Sequence, residues 1–158
     1  MHNKRVYDLS IALERIKSYC ALQDKCQWDV LQKLNEWGLQ QVTKDHILEL
    51  LITDKFVDEE RFAVSFCRGK FRIKNWGKHK ITNELKRKQI SITCINIGLK
   101  EINDNDYNQV LEKLFHQKNN TLKDKNHFIR KTKIAKFLIQ RGFESNLVWD
   151  KIRELSYK

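Results

Sequence analysis

An all-α protein, built as three tandem three-helix repeats forming an elongated, curved array, is what this sequence predicts. Three observations carry that expectation. Proline is absent from all 158 residues, where average usage of about 5% would supply roughly eight. Apolar residues recur at three- and four-residue spacing in nine separate stretches. Finally, a helix-stop signal recurs as Trp37-Gly38-Leu39, Lys88-Gln89-Ile90 and Arg141-Gly142-Phe143, so that positions 38, 89 and 142 lie 51 and 53 residues apart. A near-constant period of about fifty residues marks an internal repeat. Three short helices bury little by themselves, so neighbouring repeats must stack to share a core. With 41% hydrophobic and 32% charged residues, the helices are expected to be thin and well exposed. A long surface of this kind suits a groove or a filament better than a small-molecule pocket.

Residues 1–8 read as a lead-in. The first repeat, 9–56, opens with Leu9, Ala12, Ile16 and Tyr19 at helical spacing to about Gln23. Val30, Leu31, Leu34 and Trp37 form its second helix, ended by Gly38. Thr43 suits the N-cap of a third helix that buries Ile47, Leu50 and Leu51. The second repeat, 57–103, begins with Asp58, Glu59 and Glu60 ahead of Phe62, Ala63 and Phe66. A turn near Asn75-Trp76-Gly77 leads to a helix with Ile81 and Leu85, and Ser91 caps a sixth helix that Gly98 weakens. The third repeat, 104–158, follows the polar break Asn103–Asp106. It comprises a helix on Tyr107, Val110, Leu111, Leu114 and Phe115, a loop over Gln117–Lys125, a helix burying Phe128, Ile134, Ala135 and Leu138, and a last helix on Leu147, Val148, Ile152 and Leu155.

Charge is segregated along the chain. The net charge is +11, yet residues 68–88 hold nine Lys/Arg against Glu84, and residues 118–141 hold eight against Asp124. The remainder carries 14 basic and 18 acidic residues. Such concentration points to polyanion contact rather than general solubility. The candidate contact residues are Arg68, Lys70, Arg72, Lys74, Lys78, Lys80, Lys86 and Arg87 in the first window, and Arg130, Lys133, Lys136 and Arg141 in the second. Lys133, Lys136 and Gln140 share one helical stripe. Lys4, Lys44 and Lys151 lie outside both windows and are expected to be ordinary surface charges. Trp76, between Lys74 and Lys78, is placed either to stack on a base or to pack at a repeat junction.

Catalytic patterns are absent: no P-loop, dinucleotide fingerprint, HExxH or GxSxG occurs, so an enzyme is not expected. Cys20, Cys26, Cys67 and Cys94 match no zinc spacing and read as reduced thiols, and no cofactor or metal is called for. There is no apolar run of about 18 residues to span a membrane, and MHNKRVYDLS lacks a secretory core, so the cytoplasm is the expected location.

The Asp58–Ile90 stretch resembles the second repeat of the RecX family, regulators of the RecA recombinase. The matching positions are Asp58, Glu59, Phe62, Ala63, Gly77, Ile81, Glu84, Leu85, Lys88 and Ile90, with Gln89 where the family usually has Gly. Residues 133–143 resemble the family's third repeat. The resemblance implies three tandem three-helix repeats lying in the groove of the RecA–single-stranded DNA filament. It implies modulation, chiefly inhibition, of filament assembly, ATPase and recombination or SOS activity. A monomer is expected, with weak, non-specific contact to single- or double-stranded DNA. A stand-alone helix-turn-helix DNA-binding protein is the alternative reading, although the fifth helix offers few Asn or Gln to read base edges.

Overall fold

The computed structural model describes residues 8–156, and among these it contains nine α-helices and no strand. They are α1 (Leu9–Leu22), α2 (Gln27–Glu36), α3 (Gln41–Thr53), α4 (Glu59–Arg72), α5 (Lys78–Arg87), α6 (Ile92–Leu99), α7 (Asp104–Thr121), α8 (His127–Gln140) and α9 (Ser145–Ser156). The helices pack in consecutive threes. Residues 1–7 of the expected lead-in fall outside the described residues.

In the first unit the Asp8 carboxylate accepts the Ile11 amide at 2.9 Å and starts α1. Ala12, Ile16 and Cys20 form the buried face, while Leu9, expected on it, is 42% exposed. Gly38 takes φ 70° after α2, the left-handed conformation that ends a helix without Cβ strain. The third helix starts earlier than Thr43 suggests: Gln40 is its N-cap, in extended conformation, and Thr43 sits inside the first turn.

The second unit follows the sequence closely. Asp58 accepts the Arg61 amide at 2.9 Å, and the Ser91 hydroxyl accepts Cys94 N–H at 3.2 Å. Gln89 adopts φ 62°, the same left-handed stop as Gly38 and Gly142, and the Ile90 amide reaches back to Leu85 O at 3.0 Å. The departure from glycine thus leaves the helix end intact. Gly98 has a role that its low helix propensity conceals. A Cβ there would lie 2.6 Å from Ala63 O and 2.8 Å from Cys67 Sγ, so glycine is what lets α6 press against α4.

In the third unit Asn103 caps α7, accepting the Asn105 and Asp106 amides at 2.8 and 3.1 Å. The expected loop at 117–125 is shorter than its polarity implies, because α7 runs on to Thr121. Phe128, expected in the core, is 78% exposed in the first turn of α8. Lys151, expected at the surface, is only 4% exposed and pairs with Glu154 at 3.1 Å and Glu112 at 3.8 Å.

Two hydrophobic clusters hold the array. One belongs to the first unit and centres on Ile16, Val30, Leu34, Ile47 and Leu51. The other is continuous through the second and third units and takes in Cys26 from the start of α2. The first unit therefore keeps its own interior and is joined through that end of α2. There Gln27 N–H donates to Glu59 Oε1 at 2.8 Å, and Lys88 meets Asp29 at 2.5 Å with both side chains mostly buried. Burial pushes the Cys26 and Cys67 thiols up to about 12, which keeps them protonated and inert.

The joint between the second and third units is made by backbone. At the start of α5, Gly77 N–H donates to Arg141 O at 2.8 Å and His79 N–H to Gly142 O at 2.9 Å. Between them, Lys78 N–H donates to the Tyr107 hydroxyl at 3.0 Å, which donates to Glu144 Oε1 at 2.6 Å. These are amides that a helix start ordinarily leaves unbonded, and the Arg141 and Gly142 carbonyls, just past the end of α8, together with the Tyr107 hydroxyl satisfy them. The approach is so close that a Cβ on Gly77 would lie 2.2 Å from the Gly142 carbonyl carbon. Gly69, by contrast, sits within the last turn of α4 with open space where its Cβ would be. Gly77→Ala is therefore expected to lower stability by about 1–3 kcal/mol in urea denaturation. Gly69→Ala should raise it by about 0.5–1 kcal/mol; equal, small effects at both sites would remove the joint as described.

Candidate nucleic-acid interface

The two basic windows, separated in sequence, meet at this joint. The Arg141 guanidinium, at the end of α8, donates to the Lys74 carbonyl beyond α4 and lies 5.8 Å from the Phe137 ring. Its Nε is buried and has no partner among the described residues. Arg141 therefore ties one window to the other, an internal duty its charge alone does not reveal.

Several other candidates are also spoken for. Arg130 makes four hydrogen bonds, to Leu122 O, Asp124 O, Asn119 O and Asn119 Oδ1, at 2.6–3.0 Å. It thereby gathers the end of α7 and the following loop, including a carbonyl of α7's last turn that has no partner within the helix. Lys133 pairs with Asp124 at 2.9 Å, and this contact holds the Asp124 carboxyl below the usual range. Arg68 pairs with Glu101 at 2.8 Å. Arg87 grips Glu84 at 2.5 Å and lies 4.7 Å from the Trp28 ring centroid, helping to join the first two units. Lys78 sits over Tyr107 at 4.8 Å and 3.6 Å from Asp104.

Trp76 resolves to packing. It is half-buried, edge-on to Phe66 at 6.4 Å, with the ammonium groups of Lys70 and Lys80 at 4.9 and 4.6 Å from its centroid. Each cation over a ring contributes about 0.5–1 kcal/mol at an exposed site. The indole is thus engaged with the chain's own side chains.

What remains on display is a smaller set. Arg72, Lys74, Lys86 and Lys136 are exposed, and no ion pair forms at their side chains among the described residues. Arg72 and Lys74 flank Ile73, itself 78% exposed, where the chain leaves α4. Sequence periodicity does not single out this tip, because it follows the last helical turn. Among the described residues no cluster of His, Cys, Asp and Glu converges to hold a metal, and no helix is long and apolar enough to cross a membrane.

The fold defines a class: a helical-repeat protein of tandem three-helix units, with exposed cations on the second and third. The profile of the family described as RecX, second three-helix domain, matches residues 58–99. A regulatory protein RecX of Prosthecochloris aestuarii is 28% identical over 150 residues, covering 94% of this chain and 95% of that protein. One of Lactobacillus johnsonii is 27% identical over 138 residues, covering 87% of this chain; the chain spans about half, 51%, of that relative's length. Among solved structures, RecX from Lactobacillus salivarius superposes with TM-score 0.82 at 20% identity, covering 96% and 98% of the two chains. A crystal structure of regulatory protein RecX superposes with TM-score 0.83 at 22% identity, covering 92% and 73%. The chain is thus similar to RecX proteins over most of its length, and residues 58–99 carry the family's second three-helix domain.

Arg130→Ala is expected to cost about 1.5–3 kcal/mol of stability, since it strips a charged donor from four acceptors. Lys136→Ala, exposed on the same helix, should stay within about 0.5 kcal/mol of the parent. Thermal or urea denaturation checks the pair, and a neutral Arg130→Ala would return that residue to the free surface.

Proposed function

We propose that this chain is a regulator of the RecA recombinase that seats on the RecA–single-stranded DNA filament and inhibits its assembly, ATPase and recombination or SOS activity. The observation that carries this reading is that the unit matching the family is also the one that displays Arg72 and Lys74 at a solvent-facing tip. Exposed cations carried on a row of small units suit the repeating acidic and phosphate surfaces of a nucleoprotein filament better than one compact ligand. The protein works without chemistry of its own, as a cytoplasmic monomer. Its contact with single- or double-stranded DNA is weak and sequence-independent, governed by phosphate neutralisation and therefore by salt.

The helix-turn-helix alternative is disfavoured by geometry. Helix-turn-helix proteins bring the N-terminal residues of a recognition helix to base edges. In this chain the N-terminus of α5 is docked on the end of α8 through Gly77, Lys78 and His79. That end has no freedom to enter a groove.

The test is inhibition of RecA filament growth on single-stranded DNA, with protein and recombinase from one organism. Arg72→Glu/Lys74→Glu is expected to raise the concentration for half-inhibition by about tenfold or more, because desolvated interface charges lose much when reversed. Lys100→Glu/Lys113→Glu makes an equal charge change at exposed sites outside both windows and should change it little, since distant surface charges are screened beyond about 10 Å near 0.1 M salt. Lys44 and Lys151 also lie outside both windows but are unsuited to this comparison, since Lys151 is buried and Lys44 bonds Asn35 Oδ1 at 2.6 Å; Lys4 lies outside the described residues. Equal losses in both pairs would overturn the site, and no inhibition by the parent protein would overturn the function.

A further inference from the structure

Gly69 has no structural reason to be glycine. Gly38 and Gly142 occupy left-handed backbone, and Gly77 and Gly98 lie against neighbouring backbone too closely for a Cβ. Gly69 does neither. It lies in the last turn of α4, still within the helix, with nothing within 4 Å of its Cβ position, where glycine only weakens the helix. What the missing side chain leaves is room. Gly69 lines a hollow of about 150 Å³ whose other walls include Phe62, Phe66, Lys70, Ile73 and Lys74. An adjoining hollow of about 270 Å³ shares Phe62, Phe66 and Lys70 and extends to Trp76, so the two form one trough.

The margins of this trough combine two features. Ile73 is 78% exposed on its wall, and Leu22, next to the wall residue Gln23, is 87% exposed. Folding leaves both large aliphatic groups in water. Lys70 and Lys74 line the hollow over Gly69, whose one acid, Asp24, is paired with Arg61 at 3.0 Å; in the adjoining hollow Asp29 is paired with Lys88 and Glu84 with Arg87, and Lys25 adds a further cation. A volume near 150 Å³ matches a group the size of a benzene ring, and Phe62, Phe66 and Ile73 give this open hollow its apolar side.

We propose that this trough is a docking site for a protein segment that presents one large apolar side chain between carboxylates. The apolar group enters the hollow over Gly69 and covers Ile73, and the carboxylates meet Lys70 and Lys74. A nucleobase fits less well, because the rings it would stack on, Phe66 and Trp76, are edge-on to each other and carry Lys70 within 5.4 and 4.9 Å. The inference stands whichever protein carries the segment, and its test does not use a filament.

Gly69→Leu fills the hollow from a helical position with open space, so the variant is expected to melt at or above the parent temperature. Fluorescence anisotropy with a labelled short peptide in which aspartates flank a Leu-Phe pair reads the binding. Saturable binding to the parent protein is expected, weakened about tenfold or more by Gly69→Leu and by Ile73→Ser. A peptide with Ser-Ser in place of Leu-Phe should bind equally weakly. Ile73→Ser guards against a folding artefact, since that side chain is already in solvent. No binding to the parent, equal binding of the Ser-Ser peptide, or binding unaffected by both variants would overturn the proposal. So would loss of labelled oligothymidylate binding in Gly69→Leu with the peptide unaffected, which would assign the trough to a base.

Discussion

The meeting of two helix ends, the Arg141 and Gly142 carbonyls just past α8 on the first amides of α5, is the constraint on which the second half of the molecule depends. A helix start carries unbonded N–H groups and partial positive charge, and a helix end carries the opposite. The first turn of α5 makes this acute. It contains Lys78 and Lys80 and no acid, the reverse of what the helix dipole favours. Arg141 O and Gly142 O, with the Tyr107 hydroxyl, supply the missing negative partners. Because backbone meets backbone, Gly77 and Gly142 must both lack a side chain, and the hydrophobic core continues unbroken from α4–α6 into α7–α9. The first unit is attached differently, by side chains: Glu59 on the Gln27 amide, Lys88 on Asp29, and Trp28 beside Arg87 and Lys88.

These joints divide the basic residues by task. Arg130, Arg141, Arg87 and Lys88 fasten loops and units with their charged groups. Arginine suits such fastening, since its planar fork can satisfy several fixed carbonyls at once, as Arg130 does. The cations left in solvent are mainly lysines, together with Arg72. A chain can therefore be strongly cationic while only a fraction of its charge is left free in solvent. The same division explains why Lys70 and Lys80 hold Trp76 rather than leaving its ring for a base.

Much of the fold was legible because each helix carries local punctuation. Asp58, Ser91, Gly38 and Gly142 do in the structure what their chemistry suggests, and the period of the stops marks the repeat. What escaped the sequence is tertiary. Gly98 reads as a helix-weakener until α4 is laid against it, and the tract after Gln117 reads as loop although Arg130, further along the chain, gathers the carbonyls of Asn119, Leu122 and Asp124. Phe128 has an apolar side chain at helical spacing yet stays in solvent, whereas Trp28, likewise two residues past the N-cap of a middle helix, packs against the next unit's core. At the candidate interface, charge density located the region, and the identity of the free cations depended on partners far away in sequence, such as Glu101 for Arg68.

Amide hydrogen exchange resolved by NMR tests the central joint most directly. The amides of Gly77 and His79 stand at a helix start, where exchange is normally fast, but each is bonded to a carbonyl of another unit. They are predicted to exchange as slowly as the core amides of α5, by opening of the whole second and third units together. The first-turn amides of Glu60 and Thr93, which meet no carbonyl of another unit among the described residues, should exchange fast. Fast exchange at Gly77 and His79, matching Glu60 and Thr93, would contradict the docking of α8 on α5.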